Sequence, residues 1–153
     1  IGVQIPPFTR VSVDALRSHA GLTKAESEED WFREWVDHVE PTLKKPVIVH
    51  SYPAWQAALA KERRGYADRF EVYLGGLELA NCFAEEGDPA IIRQRFHASA
   101  TKRREMNRPP HPIDEAFLKA LPRMPRTAGI AMGIDRLVMA LTETPSIDMV
   151  QVR

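Results

Sequence analysis

The stretch Arg69-Phe70-Glu71-Val72-Tyr73-Leu74-Gly75-Gly76-Leu77-Glu78-Leu79-Ala80-Asn81-Cys82-Phe83 decides the fold. Two strand-like runs flank Gly75-Gly76, a pair that reaches the positive φ angles of a tight hairpin turn without steric cost. Pairing outward from that turn sets Leu74 opposite Leu77, Tyr73 opposite Glu78 and Glu71 opposite Ala80. One face of the hairpin then carries Phe70, Val72, Leu74, Leu77 and Leu79, and the other Arg69, Glu71, Tyr73, Glu78, Ala80 and Cys82. Two carboxylates thus come close on adjacent strands beside a phenol. Close carboxylates repel, and a divalent cation is one reason for them to persist. Half-exposed antiparallel sheets also place Glu and Arg on their wet face as routine, and spacing alone favours that plainer reading.

Upstream of the hairpin, Ile1 to Phe8 reads as an extended lead-in punctuated by Pro6 and Pro7. Ser27-Glu28-Glu29-Asp30 has the form of a helix start, with a capping hydroxyl and acidic residues complementing the dipole. Trp31, Phe32, Trp35, Val36 and Val39 follow on one helical face, and Pro41 ends the helix. Val47-Ile48-Val49 is a β-branched run that reads as a buried strand, broken by Tyr52-Pro53-Ala54. Downstream, Asp88-Pro89 caps a helix with Ile92 and Phe96 on its apolar stripe, and a second helix spans Asp114 to Leu121. Gly129 to Gly133 reads as a small-residue strand running into Asp135-Arg136-Leu137-Val138-Met139-Ala140, a helix apolar on most faces and therefore expected to be buried.

The 153 residues suit one ordinary domain, and 44% hydrophobic with 27% charged residues is the composition of a globular chain with a core. Twenty-one basic residues balance twenty-one acidic ones, which removes the bulk electrostatic reason for nonspecific nucleic-acid or membrane binding. The single Cys82 excludes an internal disulfide and cannot alone build a structural zinc site; a reducing, cytoplasmic setting is the expectation. No apolar run approaches the roughly 20 residues of a membrane span. The chain opens at Ile1 without an initiator Met, which suggests a fragment, a processed chain or missing upstream sequence.

Arg136, just past Gly133 at the start of an apolar helix, is a second candidate, since guanidinium groups and helix N-termini both favour phosphate; a salt bridge to a neighbouring carboxylate is as good an account by itself. The basic run Lys102-Arg103-Arg104 with Arg108 reads as a dipole-complementing, solvated helix end. The histidines show no metal-ligand spacing, Cys82 reads as a small filler, and no phosphate-binding loop, dinucleotide fingerprint or nucleophile elbow occurs.

Taken together, Arg69 to Asn81, Phe83-Ala84-Glu85, Asp88, and Gly129-Ile-Ala-Met-Gly-Ile-Asp-Arg-Leu137 resemble class II lysyl-tRNA synthetases, and more closely the elongation factor P β-lysine ligases that share their catalytic domain. Pro53-Ala54-Trp55-Gln56-Ala57-Ala58-Leu59 is similar to the Pro-Ala-Ser-Gln-Ala-x-Leu segment of those ligases. The resemblance implies an α+β fold, an antiparallel sheet flanked by helices, of which residues 1–153 would be the C-terminal portion of the catalytic domain. It implies ATP-dependent activation of lysine, β-lysine or a similar amino acid to an aminoacyl adenylate, for transfer to elongation factor P or, alternatively, to tRNA. A degenerate paralogue acting as a binding module is the third possibility. Residue by residue, it implies that Glu71 and Glu78 hold Mg2+ at the ATP phosphates, that Asn81 and Glu85 line the lysine pocket with Ala131 and Gly133, and that Arg136 binds the phosphate tail. A homodimer of the full-length protein is a further expectation.

The departures carry expectations too. Ala131 stands where lysyl-tRNA synthetases have glycine and the ligases alanine. Cys82 replaces a glycine and Trp55 a serine, both of which would fill or reshape the pocket, and Glu86-Gly87 replaces the usual pair before Asp88. The first and second motifs of the class have no counterpart, so the chain by itself is expected not to complete the adenylation.

Overall fold

The structure, a computed structural model, describes residues 7–22 and 25–151. Its centre is a six-stranded sheet: β1 (Thr9–Ser12), β2 (Val47–Pro53), β4 (Tyr66–Leu74), β5 (Leu77–Ala84) and β6 (Ala128–Met132) in that order, with the short β3 (Glu62–Arg63) beside β4. The α+β class stands, but the sheet is mixed rather than purely antiparallel, because β1 runs parallel to β2. The intervening α1 (Val13–His19) and α2 (Glu28–Glu34) supply the crossover that a parallel pair requires. Of the lead-in, residues 1–6 lie outside the described part, and Pro7 and Phe8 precede β1 without regular structure.

Ser27 caps α2 as its sequence indicates, its hydroxyl accepting from the Asp30 N–H at 3.1 Å. A π-turn over Trp35–Val39 and a 3₁₀ turn at Glu40–Thr42 close this segment at Pro41. The buried row is narrower than expected: Trp31, Trp35 and Val39 point inward, whereas Phe32 is 62% exposed. That row packs on Val47, Val49, Tyr52, Ala67 and Tyr73 of the sheet and forms the main core. Trp31 stacks on Trp35, with ring centroids 5.3 Å apart.

Asp88 caps α3 (Pro89–Glu105), accepting from the Ala90 N–H at 2.8 Å, and Asp114 caps α4 (Glu115–Ala120). Ile92, Leu118 and Leu121 meet there as a second, smaller core. The helix α5 (Ile134–Thr142) follows β6 but is not buried as expected: only Met139 of its residues is, and Ile134 is 63% exposed. Its apolar content therefore meets no further layer among the described residues.

Candidate active site

The hairpin forms at Gly75 and Gly76, whose φ angles of 66° and 79° lie where only glycine is unstrained. Leu74 pairs with Leu77 and Tyr73 with Glu78, as the turn dictates. The register then slips, so that Val72 faces Ala80 and Glu71 faces Asn81, with Leu79 the extra residue. The expected Glu71–Ala80 pairing is thus corrected by a β-bulge, which reverses the facing of everything beyond it. Asn81, Phe83 and Glu85 move onto the Glu71 face, and Ala80 and Cys82 move off it, Cys82 lying between Phe70 and Ile130. Ala131, paired with Asn81, and Gly129, paired with Phe83, complete that face on β6.

A second irregularity acts in the same way on β2, which continues through Tyr52 to Pro53 instead of breaking. Its register shifts between His50 and Tyr52, where Ser51 adopts a φ of 61°. Strict alternation would place Tyr52 opposite Val47 and Val49; the shift sets it beside Ala67 in the same core.

Glu71 is consequently buried, only 7% exposed, and surrounded by donors. Its Oε2 accepts from the hydroxyls of Tyr52 at 2.5 Å and Tyr73 at 2.7 Å. Its Oε1 accepts from the Arg69 guanidinium and from Asn81 Nδ2 at 3.4 Å. Arg69 is itself clamped, donating to the Gln56 carbonyl at 3.0 Å and lying over the rings of Tyr52 and Phe83. Burial first, and then the Glu71 charge, pushes both phenols far above their ordinary range, so they serve as donors. Tyr73 also touches Glu40 Oε1 at 3.2 Å, and burial raises the Glu40 carboxyl.

Glu78 lies toward the other end of this face. Its carboxyl is raised by burial and by the charge of Glu71, opposed by Arg136. Arg136 enters from the first turn of α5, donating to the Glu78 carbonyl at 3.0 Å with its guanidinium 3.8 Å from Glu78 Oε2. Gly133 positions that turn through its N–H, which donates to the Leu79 carbonyl at 2.9 Å. Glu85 lies over Gly129: a Cβ at that glycine would come within 2.6 Å of Glu85 Oε1. The seven residues singled out in the sequence therefore gather along β5, β6 and the start of α5, with Glu71 reaching them from β4.

Trp55 is not among them; it leans edge-on against Trp31, centroids 5.5 Å apart. Sequence reasoning missed Tyr52 and Glu40, which come from segments remote in sequence and have no local signal.

The donor set bears on a metal. Glu71 already accepts four hydrogen bonds, whereas Glu78 has only the distant guanidinium near its carboxylate. No group of three or more His, Cys, Asp or Glu among the described residues is arranged to hold a metal ion. A cation here would meet Glu78 first and would draw further oxygens from a bound phosphate.

Residues 4–152 match the family described as tRNA synthetases class II (D, K and N). The chain belongs to that family. Among curated proteins it is 45% identical over 113 residues to the lysine–tRNA ligase of Oceanobacillus iheyensis, covering 71% of this chain and 23% of that one. The lysine–tRNA ligase of Thermosynechococcus vestitus is 46% identical over 113 residues, with 71% and 22% covered. That of Lactiplantibacillus plantarum is 44% identical over 115 residues, with 72% and 23% covered. The chain thus spans under a quarter of the length of these relatives.

Proposed function

We propose that this chain is the C-terminal part of the catalytic domain of a ligase that activates lysine, or a lysine-like amino acid, with ATP to an aminoacyl adenylate. The Leu79 bulge is the observation that carries the reading, because it brings Asn81, Glu85 and Ala131 onto the face that Glu71 and Glu78 already share. The exposed apolar residues Ile130, Met132 and Ile134 around the edge strand β6 support the assignment to a larger domain, since a sheet face of this kind is ordinarily covered by another layer.

In this reading Glu85, with Asn81, takes the ε-ammonium of the amino acid through a charge-assisted contact. Arg136 meets the phosphate tail, and Glu78 faces Mg2+; Glu71, the other expected ligand, would have to give up donors to join it. Magnesium, when bound, neutralises phosphate charge. The substrate carboxylate is itself the nucleophile at the α-phosphorus, with pyrophosphate leaving, so the protein supplies positioning and charge rather than a covalent group.

The names of the relatives favour tRNA as acceptor. Elongation factor P is the second reading, favoured by Ala131 and by the Pro53–Leu59 segment. A homodimeric, cytoplasmic full-length protein belongs to either reading on the resemblance alone. Incubating the intact protein with ATP, Mg2+ and labelled lysine or β-lysine separates the acceptors: label on tRNA supports the first, label on elongation factor P the second. Label on neither, with no adenylate formed, overturns both and leaves the degenerate paralogue.

A further inference from the structure

The turn Ala54–Gln56 carries Trp55 out of the site and onto the surface, where it is 45% exposed. One side of its indole is fixed against Trp31, which is stacked in turn on Trp35. The other side closes a cavity of about 640 Å³ between α2 and the end of α3, whose apolar lining is completed by Phe32 and Met106, 62% and 52% exposed. Three large apolar side chains on a single concave surface differ from the scattered exposed hydrophobics of an ordinary surface.

The rim of this groove is acidic. Glu28, Glu29 and Glu105 surround it with Lys102 as the one cation, and Lys102 is bound to Glu28. Among the described residues, Glu29 and Glu105 have no salt-bridge partner. On the far side of Trp55 a second, more polar cavity of about 470 Å³ has Asp14, Glu26 and Glu28 in its lining, with Arg17, itself paired with Glu34. Carboxylates in this number repel nucleic-acid phosphate and anionic lipid, and attract ammonium and guanidinium groups.

We infer that this groove is a docking site for a basic amphipathic protein segment, which seats an apolar side chain against Trp55, Phe32 and Met106 and sets Lys or Arg on the Glu29 and Glu105 rim. An aromatic already immobilised by its neighbours is the kind of anchor that contributes most at an interface, because little side-chain freedom is lost when the partner arrives. Helix-in-groove recognition uses this combination of apolar anchors and flanking charge. The inference stands apart from the adenylation reading, since none of the groove residues belongs to that site.

The test uses the intact protein and a labelled leucine–lysine amphipathic peptide about four turns long, with its leucine–glutamate counterpart as control. Saturable binding of the lysine peptide, shifting the Trp55 indole N–H resonance, is expected. Trp55→Ser weakens it roughly tenfold, the size of an anchor residue's contribution. Glu29→Gln with Glu105→Gln weakens it less and flattens its salt dependence. Trp55→Ser keeps the unfolding midpoint; should it not, Phe32→Ser, at an exposed position, carries the same expectation. Equal binding to wild type and both apolar variants, equal binding of the glutamate control, or protection of Trp55 in the free protein by another part of the chain or a second copy would each overturn the proposal.

Discussion

Glu71 shows how one buried charge sets the terms for its neighbours. Four donors converge on its two oxygens from three strands: Tyr52 of β2, Arg69 and Tyr73 of β4 two residues to either side, and Asn81 of β5. Glu71→Ala would strand the Arg69 guanidinium and two phenols, and the expected loss is about 3–5 kcal/mol, the range for removing one partner of a buried pair; urea unfolding of the intact protein measures it. Glu40 has the opposite effect. Its carboxyl is raised by burial, so between the ordinary carboxylate range and its own folded value the native state holds a proton that the unfolded chain has released. Stability from this group is therefore greatest in acid and falls as pH rises through that window. Glu40→Gln is expected to flatten that fall and to leave the variant relatively more stable at neutral pH; unfolding midpoints of both proteins measured from acid to neutral pH check it.

At the scale of elements, two one-residue irregularities do most to build the site. Gly75-Gly76, the Ser27, Asp88 and Asp114 caps and the strand cores are legible from sequence, because each depends on chemistry within a few residues. The Leu79 bulge and the shift at Ser51 are not, because alternation carries no mark of where it is interrupted; the cost is settled by packing against strands far along the chain. The resemblance supplied Asn81 and Glu85 where alternation alone put Asn81 on the wrong face. The exposure of Phe32, and of Ile134 on α5, was equally hidden, since an apolar stripe specifies a partner without naming it. Two substitutions separate turn from site. Gly75→Ala meets no neighbour within 4 Å, so its expected cost of about 1 kcal/mol is purely that of holding a side chain at positive φ. Gly129→Ala meets only the tip of Glu85, a flexible side chain. It is expected to leave the unfolding midpoint almost unchanged while raising the KM for lysine roughly tenfold, as loss of a charge-assisted contact does.

For the whole molecule, the sheet order places β6 at an edge of the described sheet, with its Ile130 and Met132 exposed. An uncovered apolar edge strand is a pairing surface. In the intact protein the outward amides of Ala128–Met132 are expected to be paired and slow to exchange with deuterium; fast exchange there would contradict the assignment to a larger domain. No helix among the described residues is long and apolar enough to cross a membrane. Lysine activation is the proposal on which the account rests, and lysine-dependent exchange of labelled pyrophosphate into ATP by the intact protein tests it most directly. The expected result is exchange that requires Mg2+ and lysine or β-lysine, with Glu85→Gln losing it through a raised amino-acid KM and Arg136→Ala losing it in kcat. Exchange that is absent with every lysine-like acid, or that survives Glu85→Gln and Arg136→Ala unchanged, would contradict it.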